Sequence, residues 1–384
     1  MIDLDPHDLR ICLRAGEGAD AHGGAVLPPI AQASLFRKAT MQDLHRDLAR
    51  EHLTATYSRG TNPTVQVLET TLAALERGEA CKCFASGMGA IGAVLFGLLK
   101  AGDHILFVND IYGPTLELAR RLADFGISHD QCFTGSPDAI APLLREETRL
   151  IFMESPGSTR FGTIDLPGIV ALARNRDILT AIDNTVATPL LQKPIALGVD
   201  LVVHSCSKYI GGHSDALGGA VIGSAQLVER IFYNAYMLMG AVMPPFEAWL
   251  FLRGLMTLPT RLRQHHADGL ALARFLAQHP AVARVFHPDL DAAPEGAGNR
   301  RGHSGLFAFE VAAGGFARAV EVANRLDLFG KAVSWGGAES LVITGHKRDP
   351  GADPTLRIPA ALLRLSVGLE GASALIADLD RALA

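Results

Sequence analysis

From Pro63 onward, runs of hydrophobic positions alternate between two periods along the chain. Apolar residues three and four apart predict helices over Val65–Glu76, Met88–Leu99, Thr115–Phe125 and Leu166–Arg174. Between them lie short continuous apolar runs: His104–Val108, Leu150–Met153, Ile178–Ile182, Leu201–His204 and Ala220–Ile222. Strands separated by helix-length patterns form right-handed βαβ units, so these runs predict a mostly parallel sheet covered by helices. After Leu227 the pattern is helical through Leu250 and on to Leu276, with breaks expected near Pro244-Pro245 and Pro259. The last third mixes helices with strands at Leu306–Val311, Leu341–Thr344 and Leu362–Val367, which suits a smaller α+β domain. Residues 1–60 lack sustained periodicity and carry Gly23-Gly24 and Pro28-Pro29, so they read as an extended arm. The expected divisions are therefore 1–60, 61–250 and 251–384.

The chain of 384 residues has 48% hydrophobic and 20% charged residues and a formal net charge of -5, the balance of a globular protein. Nucleic-acid backbones require concentrated Lys and Arg, which this charge does not offer. The acidic start Met1-Ile2-Asp3-Leu4-Asp5 is unlike a secretory signal, and the longest apolar run, Ala90–Leu99, is too short for the roughly 20 residues of a membrane span. Five scattered cysteines without a CxxC pair suit a reducing cytoplasm. No HExxH motif or zinc-spaced Cys/His set occurs, so no metal is expected.

The candidate chemistry gathers after the strands. Lys208 lies in the turn Ser205-Cys206-Ser207-Lys208, and Asp183 ends a strand 25 positions earlier. An amine flanked by hydroxyls, with an aspartate one crossover away, suits an enzyme that binds pyridoxal phosphate (PLP) through a lysine Schiff base. The serines would bond the phosphate, and the aspartate would keep the ring nitrogen protonated. Taken singly, Lys208 would be an ordinary solvated lysine. Its company with Asp183 and a second phosphate loop decides otherwise. Ligands of open α/β sheets sit beyond the carboxyl ends of the strands, where Asp110-Ile111-Tyr112, Glu154-Ser155, Asp183 and Ser205–Lys208 all fall.

That second loop is ambiguous. Gly87-Met88-Gly89-Ala90-Ile91-Gly92 matches GxGxxG, and Asp110 lies 18 positions beyond Gly92, near where a Rossmann ribose-binding acid belongs. An NAD-dependent oxidoreductase is therefore a rival. Both readings use helix-start N–H groups to hold a phosphate. Only the PLP reading needs Lys208 and Asp183 at neighbouring strand ends.

Jointly, several stretches resemble the Cys/Met-metabolism PLP enzymes, the family of cystathionine lyases and synthases. They are Tyr57-Ser58-Arg59-Gly60-Thr61-Asn62-Pro63, Ser86-Gly87-Met88-Gly89-Ala90, Tyr112-Gly113-Pro114-Thr115, Glu154-Ser155-Pro156-Gly157-Ser158, Asp183-Asn184-Thr185, and Ser205–Tyr209 with Gly211–Asp215. Ser334-Trp335-Gly336-Gly337 resembles the β-lyase branch; γ-lyases and synthases usually carry leucine at the tryptophan position. Val186, where β-lyases commonly have tryptophan, and the segment Pro288–Gly305 depart from that pattern, and Ser207 stands for a usual threonine.

The resemblance implies PLP fold type I and the α,β-elimination of L-cystathionine to homocysteine, pyruvate and ammonia, with γ-lyase, γ-synthase and sulfhydrylase as sister reactions. By it, Lys208 would be the catalytic amine, Tyr112 would stack on the ring, and Gly87, Met88, Ser205 and Ser207 would bind the phosphate. Tyr57 and Arg59 would serve a neighbouring subunit within a homotetramer. Arg364 would pair with the amino-acid substrate's α-carboxylate through its planar fork, beside Ser334, Trp335 and Tyr57.

Overall fold

The computed structural model describes residues 2–16, 23–290, 296–351 and 357–384. Its larger sheet has seven strands: β1 (Ala80–Phe84), β2 (His104–Val108), β3 (Ser128–Cys132), β4 (Thr148–Glu154), β5 (Leu179–Asp183), β6 (Leu201–Ser205) and β7 (Gly219–Gly223). They lie in the order β1-β7-β6-β5-β4-β2-β3. β7 is antiparallel to both its neighbours, and all other pairings are parallel. The four strands β2, β4, β5 and β6 are almost wholly buried, as continuous apolar runs require when both faces are covered. β3, with the sequence Ser-His-Asp-Gln-Cys, carries no apolar signal because it is a half-exposed edge.

The predicted helices are present, three of them starting a residue or two earlier than expected. α3 (Pro63–Glu76) is capped by Asn62, whose side chain accepts from the Thr64 N–H at 3.0 Å, and has proline at its first position. α4 (Gly87–Leu98) and α5 (Gly113–Ala123) follow β1 and a loop after β2.

Two expectations are corrected. Residues 1–60 are not one extended arm: α1 (Pro6–Leu13) and α2 (Met41–Leu48) form within it. α1 belongs to the body, because Asp8 is buried between Arg77 (2.6 Å) and Lys193 (2.8 Å) while Ile2, Leu4, Cys12 and Ala15 enter the core. Eight residues make barely two helical turns, too few for a periodic signal. Arm character is confined to residues 23–60, where Val26, Leu35, Met41 and Leu53 stand exposed.

Nor does Pro259 break the chain. One helix of 34 residues, Pro245–Gln278, runs through it and across the expected division at 250. Phe251, Leu252, Leu255, Leu258 and Leu262 are fully buried on either side of the proline, so packing holds the helix together there. Arg261 adds hydrogen bonds to the Gly254 carbonyl (2.9 Å) and the Tyr209 carbonyl (2.9 Å), tying this helix to the turn that carries Lys208.

The second sheet contains β8 (Val282–Phe286), β9 (Leu306–Val311), β10 (Gly330–Lys331), β11 (Leu341–Thr344) and β12 (Leu362–Ser366), in the order β10-β11-β12-β9-β8. Its pairings are antiparallel apart from the β10–β11 edge, and β12, which bears Arg364, is central. The segment Pro288–Gly305 lies partly outside the described residues.

The helix Pro245–Gln278 approaches the Lys208 turn closely at Gly254. A Cβ there would lie 2.5 Å from both the Ile210 and Gly211 carbonyl oxygens. Gly254→Ala should therefore destabilise the fold by about 1–3 kcal/mol, read as a lower urea midpoint.

Candidate active site

Parallel topology brings the ends of β1, β2, β4, β5 and β6 to one edge, where they surround a cavity of about 180 Å³. Eight residues singled out from the sequence line it: Gly87, Met88, Tyr112, Asp183, Ser205, Ser207, Lys208 and Trp335. Ser86, Ile91, Glu154, Thr185 and Leu217 complete the wall. A larger depression of about 860 Å³ opens beside Asp177 and Asp200, at the amino ends of β5 and β6, away from these groups.

One end of the cavity is built from the α4 amino terminus. Ser86 caps the helix by accepting from the Gly89 N–H at 3.0 Å. Glycine is required at 87 because a Cβ would lie 2.9 Å from the Ser205 Cβ, and at 219 because one would lie 2.3 Å from the Ser86 carbonyl oxygen. Ser207 Oγ accepts from the Gly218 N–H at 2.9 Å, and the Ser205 N–H donates to Thr185 Oγ1 at 2.8 Å. Thr185 is thus a site residue that the sequence reading had left without a role.

The opposite floor is acidic. Asp183 ends β5 in register with Glu154 at the end of β4. Burial pushes the Asp183 carboxyl up, opposed by bonds from Thr185, whose N–H donates at 3.0 Å, and by the nearby His204 and Lys208. Glu154 is raised well above the usual carboxylate range, first by burial and then by Asp183 itself, although the Tyr112 N–H donates to it at 2.8 Å. Glu154 was visible in the sequence as a strand terminus and within a family-like stretch, but without a role of its own. Its role depends on the register between strands that are sequence-distant.

Lys208 Nζ donates to Ser334 Oγ at 2.7 Å and stands 4.7 Å from the centre of the Trp335 ring. Burial, followed by the positive charge of Arg364, lowers its pKa to about 8 against the pull of Asp183. Arg364 lies 5.0 Å over the same indole and donates to the Ser158 carbonyl at 3.4 Å. Ser334 has φ +92°, a strained conformation for a residue with a side chain. Tyr57 and Arg59 do not line this cavity; the Arg59 guanidinium rests 5.5 Å from the Tyr57 ring centre, and Tyr57 is half exposed.

The topology removes the dinucleotide reading. In a Rossmann unit the strand before the glycine loop lies beside the strand after its helix. Here four strands separate β1 from β2, and β1 pairs antiparallel with β7. Asp110 is held by Arg160 through two 3.0 Å bonds, which occupy both carboxylate oxygens.

The residues fit pyridoxal phosphate on their own chemistry. A glycine-lined helix start faces hydroxyls, an amine of lowered pKa projects between, and two buried carboxyl groups, raised by burial despite the nearby Lys208, would be met by the positive charge of a pyridinium nitrogen. Fold and site together define a PLP-dependent enzyme of fold type I.

Comparison with known proteins agrees. The model of the family described as "Cys/Met metabolism PLP-dependent enzyme" matches residues 10–384, and the chain belongs to this family, whose cofactor is pyridoxal phosphate. It is 39% identical over 372 residues to L-methionine gamma-lyase of Pseudomonas putida, covering 94% of this chain and 93% of that one. It is 35% identical over 379 residues to cystathionine gamma-synthase of Mycobacterium leprae, covering 97% and 95%. The crystal structure of metB from Corynebacterium glutamicum superposes with a TM-score of 0.90 at 31% identity, covering 98% of this chain and 97% of that one. Among the described residues no helix is long and apolar enough to cross a membrane, and no cluster of His, Cys, Asp or Glu could hold a metal ion.

Imine formation with the cofactor would require the neutral amine of Lys208, so the pH dependence of cofactor capture tests that role. The rate at which apoenzyme takes up pyridoxal phosphate should rise with pH to an inflection near 8, below the ordinary lysine value of 10.5. Arg364→Ala removes a charge that disfavours the ammonium, so it should move the inflection upward. Stopped-flow absorbance between pH 6 and 10 checks both.

Proposed function

We propose that the enzyme is a carbon–sulfur β-lyase, converting L-cystathionine to homocysteine, pyruvate and ammonia and accepting cystine and other cysteine S-conjugates. The observation that carries this reading is the Trp335 indole, nine-tenths buried in the cavity wall beside both Lys208 and Arg364. Pyridoxal phosphate, when bound, supplies an electron sink for negative charge developing at Cα. Gly87 and Met88 at the α4 start, with Ser205 and Ser207, would hold its phosphate; Asp183 would face the ring nitrogen and Tyr112 the ring.

Arg364 would grip the substrate α-carboxylate with its paired N–H groups. That contact would orient Cα so that its single hydrogen faces Lys208 Nζ. The amine, tethered by Ser334 and with a pKa near 8, is matched to removing that proton near neutral pH. The same Nζ can return the proton to sulfur as the Cβ–S bond breaks. Trp335 would fill the space next to the α-carboxylate and steer the distal chain of the thioether elsewhere. One amine with one proton to carry is sufficient for β-elimination.

The second reading is γ-elimination or γ-replacement, the chemistry in the names of the relatives from Pseudomonas putida and Mycobacterium leprae. It requires a second proton to leave Cβ before the γ-substituent departs. Product analysis separates the two. L-cystathionine should give pyruvate with homocysteine; predominant 2-oxobutyrate with cysteine would assign γ-elimination.

Arg59 has no acidic partner among the described residues, and the cavity wall contains no arginine or second lysine to meet a phosphate dianion. We read Tyr57 and Arg59 as completing the site of a neighbouring subunit in a cytoplasmic homotetramer, with Tyr57 also reaching the substrate. Mixed Arg59→Ala and Lys208→Ala subunits, each inactive alone, should recover about a quarter of wild-type activity, because random pairing makes half the dimers hybrid with one intact site each. No recovery on subunit exchange would confine both residues to their own chain.

A further inference from the structure

The loop after β4 closes on itself and hangs from the end of β2. The Gly157 N–H donates to the Gly162 carbonyl at 3.0 Å. Asn109 Nδ2 bridges the Glu154 and Gly162 carbonyls, each at 2.7 Å, and so pins both ends of the loop. Its middle is held by an ion pair: Arg160 Nε and Nη2 donate to the two oxygens of Asp110, each at 3.0 Å. The paired geometry fixes orientation as well as distance, which a single contact would not.

Asp110 is almost buried, and the loop backbone packs tightly on it: a Cβ at Gly157 would lie 3.0 Å from its own Cβ. The Asp110 carbonyl in turn accepts from the Ser158 N–H at 3.4 Å. Ser158 then presents its own carbonyl to Arg364 Nη1, also at 3.4 Å. Arg364 projects from the other sheet, so this carbonyl spans the boundary between the two sheets.

We propose that Arg160 is a positioning residue for α-carboxylate recognition: by clamping Asp110 it fixes the Ser158 carbonyl, which sets the angle of the Arg364 guanidinium. The inference rests on the assignment of the α-carboxylate to Arg364. Arg160 lies outside the cavity and touches neither the cofactor site nor Lys208. Its loss acts on one substrate group alone.

The test uses holoenzyme and two ligands that carry no sulfur leaving group, L-norleucine and pentylamine, with binding read from the cofactor absorbance. Their affinity ratio isolates the contribution of the carboxylate. In Arg160→Met the ratio should fall about tenfold, the scale of a misaligned charge-assisted hydrogen bond, with pentylamine affinity unchanged. Arg160→Lys, which keeps the charge and one of the two bonds, should recover part of it. Asp110→Asn retains the backbone carbonyl that supports Ser158 and should give the same loss by breaking the clamp from its other side, which covers the case in which Arg160→Met does not fold. Arg364→Ala is the reference and should abolish the ratio. If Arg364→Ala leaves the ratio intact, the α-carboxylate is bound elsewhere and the functional reading of Arg364 fails. If Arg364→Ala abolishes it while the Arg160 and Asp110 variants keep it, or weaken both ligands alike, the clamp is overturned.

Discussion

Two carboxyl groups, Glu154 and Asp183, sit side by side at the ends of adjacent parallel strands, and both are buried. Burial disfavours each negative charge, and each charge disfavours the other. Such a pair is costly unless something positive stands nearby, and the site is arranged around that need. The Tyr112 and Thr185 N–H groups point at the two carboxyls, Lys208 projects above them, and Arg364 approaches from the second sheet. The pyridinium of a bound cofactor would complete the set. The same arrangement explains the lysine: desolvation and Arg364 lower its pKa further than Asp183 raises it.

Holding these groups together requires both sheets. The larger one supplies Gly87, Asp183, Ser205 and Lys208 from strand ends; the smaller supplies Arg364 from its central strand and the strained Ser334-Trp335 turn. The helix Pro245–Gln278 joins them as one rod, bonded through Arg261 to the backbone at Tyr209, one residue beyond Lys208. A division of the chain at residue 250 therefore cuts through an element that the active site uses to stay rigid. Trp335 shows the result most directly, since its indole is in contact both with Lys208, from the turn after β6 of the larger sheet, and with Arg364, from the smaller sheet.

Much of this was legible in the chain. The predicted runs His104–Val108, Leu306–Val311 and Leu341–Thr344 coincide with strands to the residue, because continuous apolar character is what a doubly covered strand requires. Edge strands escaped for the converse reason: β3 is polar along most of its length, and β8 is largely exposed. The lysine turn and Asp183 were readable because their spacing equals one strand-to-strand crossover. Glu154, Thr185 and the Arg160–Asp110 pair were not readable as partners, since their neighbours are set by inter-strand register and loop closure.

The GxGxxG segment marks the boundary between the two kinds of information. By itself the sequence determined that this segment starts a helix, because glycines permit close approach and the helix start offers free N–H groups to a phosphate. It also determined the hydrophobic pattern of the sheets and the chemical inventory of amine, carboxylate, hydroxyl and guanidinium. Only the tertiary structure decided what surrounds the loop, by placing β1 against β7 and far from β2, so that Ser205 packs against Gly87, Lys208 lines the same cavity and Asp110 is taken up by Arg160. The reason is physical: period and propensity act over a few residues, whereas strand order and register arise from packing between segments a hundred residues apart.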